Sequence, residues 1–99
     1  MREKVIEAKL CCRVRDAGGM CPKLISPGMD GMPDRIILMP GARVAFAEIK
    51  APNQKPRALQ TYRHEQLRAL GFPVYVVDDL DQIAGIIDEL TGGPTDAER

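Results

Sequence analysis

The sequence predicts a single α/β domain, in which a mixed sheet carries helices in the order αβββαβα. Three segments repeat apolar residues at helical spacing, and short β-branched or Leu-rich runs lie between them. Two of these runs flank the turn signal Pro40-Gly41, a pattern typical of a β-hairpin. Because a helical segment separates the third run from the fourth, a helix crossover within one sheet is the economical arrangement.

The first helix is predicted over residues 3–16, with Gly18-Gly19 as its stop signal. Its apolar positions, which alternate with charged residues, are Val5, Ile6, Leu10 and Val14. A short extended segment over residues 23–26 is predicted as the first strand, because Pro22 and Pro27 enclose it. Residues 28–33, dense in Gly and Pro, form a loop.

The hairpin arms are predicted over residues 34–39 and 43–50, and the polar residues 51–55 form the next loop. Pro56 suits the first turn of a helix that runs to about Leu70. Gly71 then occupies the C′ position of this helix. The leucines predicted to face inward are Leu59, Leu67 and Leu70.

The last two elements are a short strand and a C-terminal helix. Residues 74–77 are wholly apolar, which suits a buried central strand. Residues 80–90 predict a helix whose apolar positions are Leu80, Ile83, Ile86, Ile87 and Leu90. Residues 1–90 are therefore expected to form one domain, with residues 91–99 as a flexible acidic tail.

The composition is typical of a globular protein without membrane-spanning segments. A chain of 99 residues suits one core, and no segment approaches the roughly 18 continuous apolar residues of a membrane span. The first ten residues are too charged for a signal peptide, so a cytoplasmic location is expected. An odd count of three cysteines favours reduced thiols over a disulfide framework, and their spacing is poor for zinc.

Charge is unevenly distributed, although the formal net charge is +0. Residues 1–77 carry thirteen Lys and Arg against seven Asp and Glu, whereas residues 78–99 carry one against seven. A cationic body with an acidic C-terminal element is compatible with phosphate binding on one face.

The residues that carry chemistry are Asp34, Glu48 and Lys50. Asp34 opens one arm of the hairpin and Glu48 ends the other, so antiparallel pairing can bring both carboxylates to one end of the sheet. Strand alternation places Glu48 and Lys50 on one face and turns Ile49 to the other. Two carboxylates suit Mg²⁺, which polarises a phosphate and activates water, and an ammonium can orient that water.

The chain resembles the VRR-NUC domain, a virus-type replication-repair nuclease of the PD-(D/E)XK superfamily, from about Glu7 to Asp79. The ordered features that carry the resemblance are Glu7 in the first helix, Gly18-Gly19, Lys23, Gly31-x-Pro-Asp34-Arg, Phe46-x-Glu48-x-Lys50, Gln60 and Leu67-x-x-Leu-Gly71 before Val74-x-Val76. This resemblance implies a PD-(D/E)XK restriction-endonuclease-like core. It is similar to the standalone form found in phages and prophages, and implies the cytoplasm of a bacterial cell or phage-infected host.

The resemblance also implies roles for individual residues. Asp34 and Glu48 would be metal ligands for Mg²⁺ or Mn²⁺, with the Ile49 carbonyl as a possible third. Glu7 would reach the metal directly or through water. Lys50 would be the catalytic lysine.

Gln60 would sit beside the active centre and position water or phosphate, again by resemblance. His64 lies four residues later on the same helical face, but we interpret it as a surface residue. Candidate phosphate contacts are the cations Lys23, Arg35, Lys55, Arg57 and Arg63.

The expected function is a metal-dependent DNA endonuclease. By resemblance it would act on branched DNA as a homodimer, like a Holliday-junction resolvase, and two-fold symmetry would present two centres to two strands. Two alternatives stay open: a DNA-binding module of this fold that does not cleave, and an α/β protein-interaction domain that uses the acidic C-terminal helix.

Overall fold

Three helices and three strands make up the computed structural model, which describes residues 2–92. They are α1 (Glu3–Asp16), β1 (Arg35–Met39), β2 (Arg43–Ile49), α2 (Ala58–Ala69), β3 (Val74–Val77) and α3 (Gln82–Thr91). The α/β fold class is confirmed. Helix α3 ends one residue beyond its predicted end and is followed by Gly92 as its C-cap, and residues 93–99 of the predicted tail lie outside the described residues.

The sheet is mixed, with strand order β1-β2-β3. Strands β1 and β2 form the predicted antiparallel hairpin, in which Arg35 lies opposite Ala47. Strand β3 lies parallel to β2, with Phe46 opposite Val74. Helix α2 is the crossover that such a parallel connection requires. β2 is therefore central, and its carboxyl end lies beside the carboxyl end of β3.

The prediction of a first strand over residues 23–26 is wrong, because these residues form no continuous ladder with β1. An extended segment does run antiparallel to β1, but it starts earlier and forms only isolated bridges, one of them between Met20 and Leu38. The carbonyl of Pro22 accepts a hydrogen bond from Ile36 N at 3.1 Å. Pro22 has no N–H to return that bond, so the ladder is interrupted there.

One face of the sheet forms the main core with α1 and α3. Alternation along the strands points Ile37, Ala47 and Ile49 to this face. The helices cover it with most of the apolar residues that the sequence predicted; the buried ones are Ile6, Leu10, Val14, Ile83, Ile86, Ile87 and Leu90. Of the others, Val5 is exposed, and Leu80 precedes α3 and is partly buried. Within residues 2–92 the cysteines form no disulfide, and no helix has the length and apolarity to cross a membrane.

Helix α2 covers the opposite face, and its orientation differs from the prediction. Leu59 and Leu70 were predicted to face inward, but they are 46% and 73% exposed; Leu67 is half-buried. The fully buried positions of α2 are Gln60 and His64. The face of the sheet opposite Gln60 and His64 carries Glu48. A buried carboxylate needs hydrogen-bond donors, so polar residues of α2 face it.

The loop before β1 packs closely on α2 through Gly31. This residue has a φ of +86°, and a Cβ added to it would lie 2.9 Å from the Leu59 carbonyl oxygen. Gly28 in the same loop has a φ of +82° with nothing within 4 Å of such a Cβ. The two glycines therefore share a backbone requirement and differ in the space around them.

Replacing Gly31 with Ala is expected to destabilise the fold more than replacing Gly28 with Ala. Both variants bear the left-handed backbone cost of about 1–2 kcal/mol, and only Gly31→Ala adds a clash with backbone. Urea denaturation of the two variants measures the difference. Equal losses in the free energy of unfolding would show that the loop moves away from α2 without cost.

Candidate active site

Asp34 and Glu48 meet at one end of the hairpin. Asp34 immediately precedes β1, and the pairing of Arg35 with Ala47 sets it across from Glu48. The Asp34 Oδ2 atom accepts a hydrogen bond from Ile49 N at 2.8 Å. This bond ties the start of β1 to the end of β2, and it leaves Oδ1 available for another partner. The structure thus brings together the two carboxylates that the sequence predicted to converge.

The Glu48 carboxylate is deeply buried, with 2% of the residue exposed. Its Oε2 atom accepts a hydrogen bond from Gln60 Nε2 at 3.0 Å and lies 3.6 Å from Lys50 Nζ. Burial, reinforced by the neighbouring Asp34 carboxylate, raises the pKa of Glu48 from 4.5 to about 7, although Lys50 opposes this. Because burial and the Asp34 carboxylate disfavour the negative charge of Glu48, a nearby cation would stabilise the ionised form.

Gln60 is fixed by two hydrogen bonds at the start of α2. Its Oε1 atom accepts a hydrogen bond from Arg57 N at 2.8 Å, as the third residue of a helix does in a capping box. Its amide nitrogen is therefore turned towards Glu48. The structure thus places Gln60 at the start of the second helix and beside Glu48, while its role in positioning water or phosphate stays a prediction. Its contact there is with a carboxylate.

His64 is the residue that sequence reasoning missed. It was interpreted as a surface residue, but it is 1% exposed, and its Nε2 atom lies 3.6 Å from Glu48 Oε1. Burial lowers the pKa of His64, and the charges of Arg68 and Lys50 act in the same direction. The available signal was its four-residue spacing from Gln60, which places both on one helical face.

Two buried atoms of this site, Glu48 Oε1 and His64 Nε2, have no hydrogen-bond partner among the described residues. Glu48 therefore has a carboxylate oxygen without a partner, and the Asp34 carboxylate is a neighbour of the same group. A divalent cation can satisfy such a pair of carboxylates. Mg²⁺ commonly uses only one or two protein carboxylates and completes its shell with water and carbonyl oxygens. No group of three His, Cys, Asp or Glu side chains suited to a metal occurs within residues 2–92. The pair of carboxylates from Asp34 and Glu48 fits the small set of protein ligands that Mg²⁺ uses.

Glu7 lies apart from this cluster. It forms an ion pair with Arg35, whose Nε is 2.9 Å from Glu7 Oε2, and Arg35 also donates to the Cys21 carbonyl. Arg35 lies on the face of the sheet that α1 covers, whereas Glu48 lies on the face that α2 covers. The structure does not bring Glu7 to Glu48, and a metal-binding role for Glu7 stays a prediction.

The other candidate phosphate contacts fall into two groups. Lys23, Lys55 and Arg57 are exposed. Arg63 is partly buried and holds the loop before β1, because its Nε donates to the Asp30 carbonyl at 2.8 Å. Like the Arg35 guanidinium, the Arg63 side chain already has a partner within the fold.

Comparison with known proteins finds similar proteins, although no family model matches the chain. The chain is 43% identical over 81 residues to the protein named "Putative nuclease p44" of Acyrthosiphon pisum secondary endosymbiont phage 1, covering 82% of this chain and 87% of that protein. A solved structure described as "VRR_NUC domain" matches with a TM-score of 0.81 and 31% sequence identity, covering 86% of this chain and 92% of that one.

Proposed function

The chain belongs to the VRR-NUC family of nucleases, and we propose that it hydrolyses phosphodiester bonds of DNA with a divalent cation held by Asp34 and Glu48. The observation that carries the proposal is the open acceptor on Glu48. Its Oε1 atom is buried and has no hydrogen-bond partner among residues 2–92, and the carboxylate to which it belongs interacts with that of Asp34. A buried, unpartnered carboxylate oxygen costs free energy, and a bound cation offsets that cost.

The proposed cation is Mg²⁺ or Mn²⁺, since carboxylate, carbonyl and water oxygens are the ligands these ions prefer. Asp34 and Glu48 would hold it, with the Ile49 carbonyl as a third protein ligand. When bound, the cation supplies Lewis-acid stabilisation of phosphate charge and favours ionisation of water. Glu7 would contribute only after leaving Arg35, to which it is paired.

Lys50 is the proposed catalytic group of the chain itself. Its ammonium lies 3.6 Å from Glu48 Oε2, so it borders the proposed metal site and stays close to the place of reaction. From there it can orient the attacking water, assist its deprotonation and stabilise the charge that develops on the phosphate. Gln60 supports this arrangement by holding the Glu48 carboxylate in place.

The proposed substrate is branched DNA, and the proposed active form is a homodimer. A domain of 99 residues offers little surface with which to grip a junction, and a two-fold dimer would present two centres to two strands. The excess of positive charge over residues 1–77 supports phosphate binding. The exposed cations Lys23, Lys55 and Arg57 are proposed to make such contacts.

The test is cleavage of labelled four-way junction, flap and linear duplex DNA with Mg²⁺, with Mn²⁺ and with a chelator. We expect cutting only with metal and fastest on the junction, and a dimer mass in analytical ultracentrifugation. The Lys50→Ala protein, purified in parallel, controls for contaminating nucleases. Failure to cut any substrate with either metal would overturn the enzymatic proposal, and junction binding without cutting would favour a DNA-binding module.

A further inference from the structure

The buried face of α2 meets both oxygens of Glu48. Gln60 Nε2 lies 3.0 Å from Oε2, and His64 Nε2, one helical turn later, lies 3.6 Å from Oε1. Residues four apart on a helix project in nearly the same direction, so this spacing matches the two oxygens of one carboxylate. Gln60 already donates to its oxygen. The Oε1 atom faces His64 instead.

The contact between His64 and Glu48 is favourable in only some protonation states. If Glu48 is ionised, as it is when it binds a cation, and the proton of a neutral imidazole sits on Nδ1, two lone pairs face each other in a buried site, which is costly. If Nε2 carries a proton, in either the neutral or the charged ring, the same pair becomes donor and acceptor. The separation of 3.6 Å exceeds hydrogen-bond range, and contacts of this kind commonly tighten when a site is loaded.

We propose that His64 is a positioning residue whose Nε2–H donates to Glu48 Oε1, so that α2 holds both carboxylate oxygens and fixes their orientation towards the metal. This inference rests on the proposed function. Each carboxylate oxygen has two lone pairs, so Oε1 can accept this proton and still bind a cation. His64 itself touches neither substrate nor metal, and it acts through Glu48.

The test compares His64→Leu with His64→Gln. Leucine retains apolar bulk and has no donor, whereas glutamine restores an N–H. Thermal melts establish folding, and isothermal titration with Mn²⁺ alone measures metal affinity without turnover. We expect His64→Leu to weaken Mn²⁺ binding roughly 10- to 100-fold, the usual loss for a residue behind a metal ligand. We expect His64→Gln to retain most of the affinity, and kcat for DNA cleavage to follow the same order with little change in KM.

Two outcomes would overturn the proposal. If a folded His64→Leu protein bound Mn²⁺ as tightly as wild type, His64 would contribute only to packing and would not orient Glu48. A folded His64→Gln protein as weak as His64→Leu would point to an imidazole nitrogen that binds the metal directly.

A spectroscopic readout separates this inference from the proposed function. His64 is the single histidine of the chain, so its two ring ¹⁵N signals are unambiguous. We expect a protonated Nε2, and an unprotonated Nε2 would refute the hydrogen bond. If wild type bound Mn²⁺ and cut no DNA, the nuclease proposal would fail, while the Mn²⁺ affinities and the ring signals would still decide the role of His64.

Discussion

Replacing Glu48 with Gln is expected to lower the rate of metal-dependent cleavage by more than about 100-fold. Removing a residue that only hydrogen-bonds to a metal ligand already costs roughly 10- to 100-fold in affinity or activity. The same change is expected to raise the melting temperature of the metal-free protein above pH 7. Activity and stability should thus move in opposite directions at one buried position.

The stability gain follows from the raised pKa of Glu48, which is about 7 in the folded protein against 4.5 for the ordinary group. Between these two pH values the folded state holds a proton that the unfolded chain has released. The free energy of unfolding of wild type therefore falls as the pH rises through this window. A neutral glutamine bears no such cost, which amounts to about 2–4 kcal/mol above pH 7.

Melting curves of metal-free wild type and Glu48→Gln at pH 4.5 and pH 8 measure this effect. The charge-dependent advantage of the variant should be small at pH 4.5, where half of the unfolded Glu48 is still protonated, and nearly complete at pH 8. Exposed Glu65 on α2 provides the matched control, since Glu65→Gln should leave both curves and the cleavage rate unchanged. A Glu48→Gln protein no more stable at pH 8 than wild type would show that the Glu48 charge is not destabilising.

Replacing Lys50 with Ala is expected to lower the cleavage rate by about 10²- to 10³-fold, the usual cost of removing one group that stabilises developing charge. Binding of junction DNA should persist, because the exposed cations elsewhere on the chain are unchanged. Single-turnover cleavage and a gel-shift titration in the presence of Ca²⁺ measure the two quantities separately.

Two further variants define the role of Lys50. Lys9→Ala removes an exposed lysine from α1 and should cut as wild type does. Lys50→Arg keeps the positive charge and cannot give up a proton, so it should bind Mn²⁺ normally and cleave poorly if Lys50 assists deprotonation. A Lys50→Ala protein that cuts at the wild-type rate would exclude Lys50 from catalysis.

Much of the fold follows from local patterns in the sequence. Helices α1 and α3 carry apolar residues at helical spacing that face the main core, so their positions could be predicted. The meeting of Asp34 with Glu48 follows from the hairpin, because the turn at Pro40-Gly41 sets the register of its arms.

The buried side of α2 and the interruption at Pro22 depend on tertiary contacts, which the spacing of apolar residues does not reveal. Apolar spacing in α2 predicted Leu59 and Leu70 as its inner positions, but the strand opposite it presents a carboxylate. The identity of the facing surface therefore decides which side of α2 is buried. The apolar pattern of α2 does not mark His64, and only its spacing from Gln60 relates it to the site. The interruption at Pro22 likewise depends on which strand lies beside it.

The polar inner side of α2 has a consequence for cooperativity. Helices α1 and α3 each bury four residues, all apolar or thiol-bearing, whereas the fully buried residues of α2 are Gln60 and His64. Apolar burial supplies most of the free energy that keeps an element docked, so we expect α2 to detach at the lowest cost of the three helices. Its departure would strip Glu48 of both neighbours while the rest of the domain stays folded. We therefore expect the fraction of active molecules to depend on local opening of α2, at a free-energy cost below that of global unfolding.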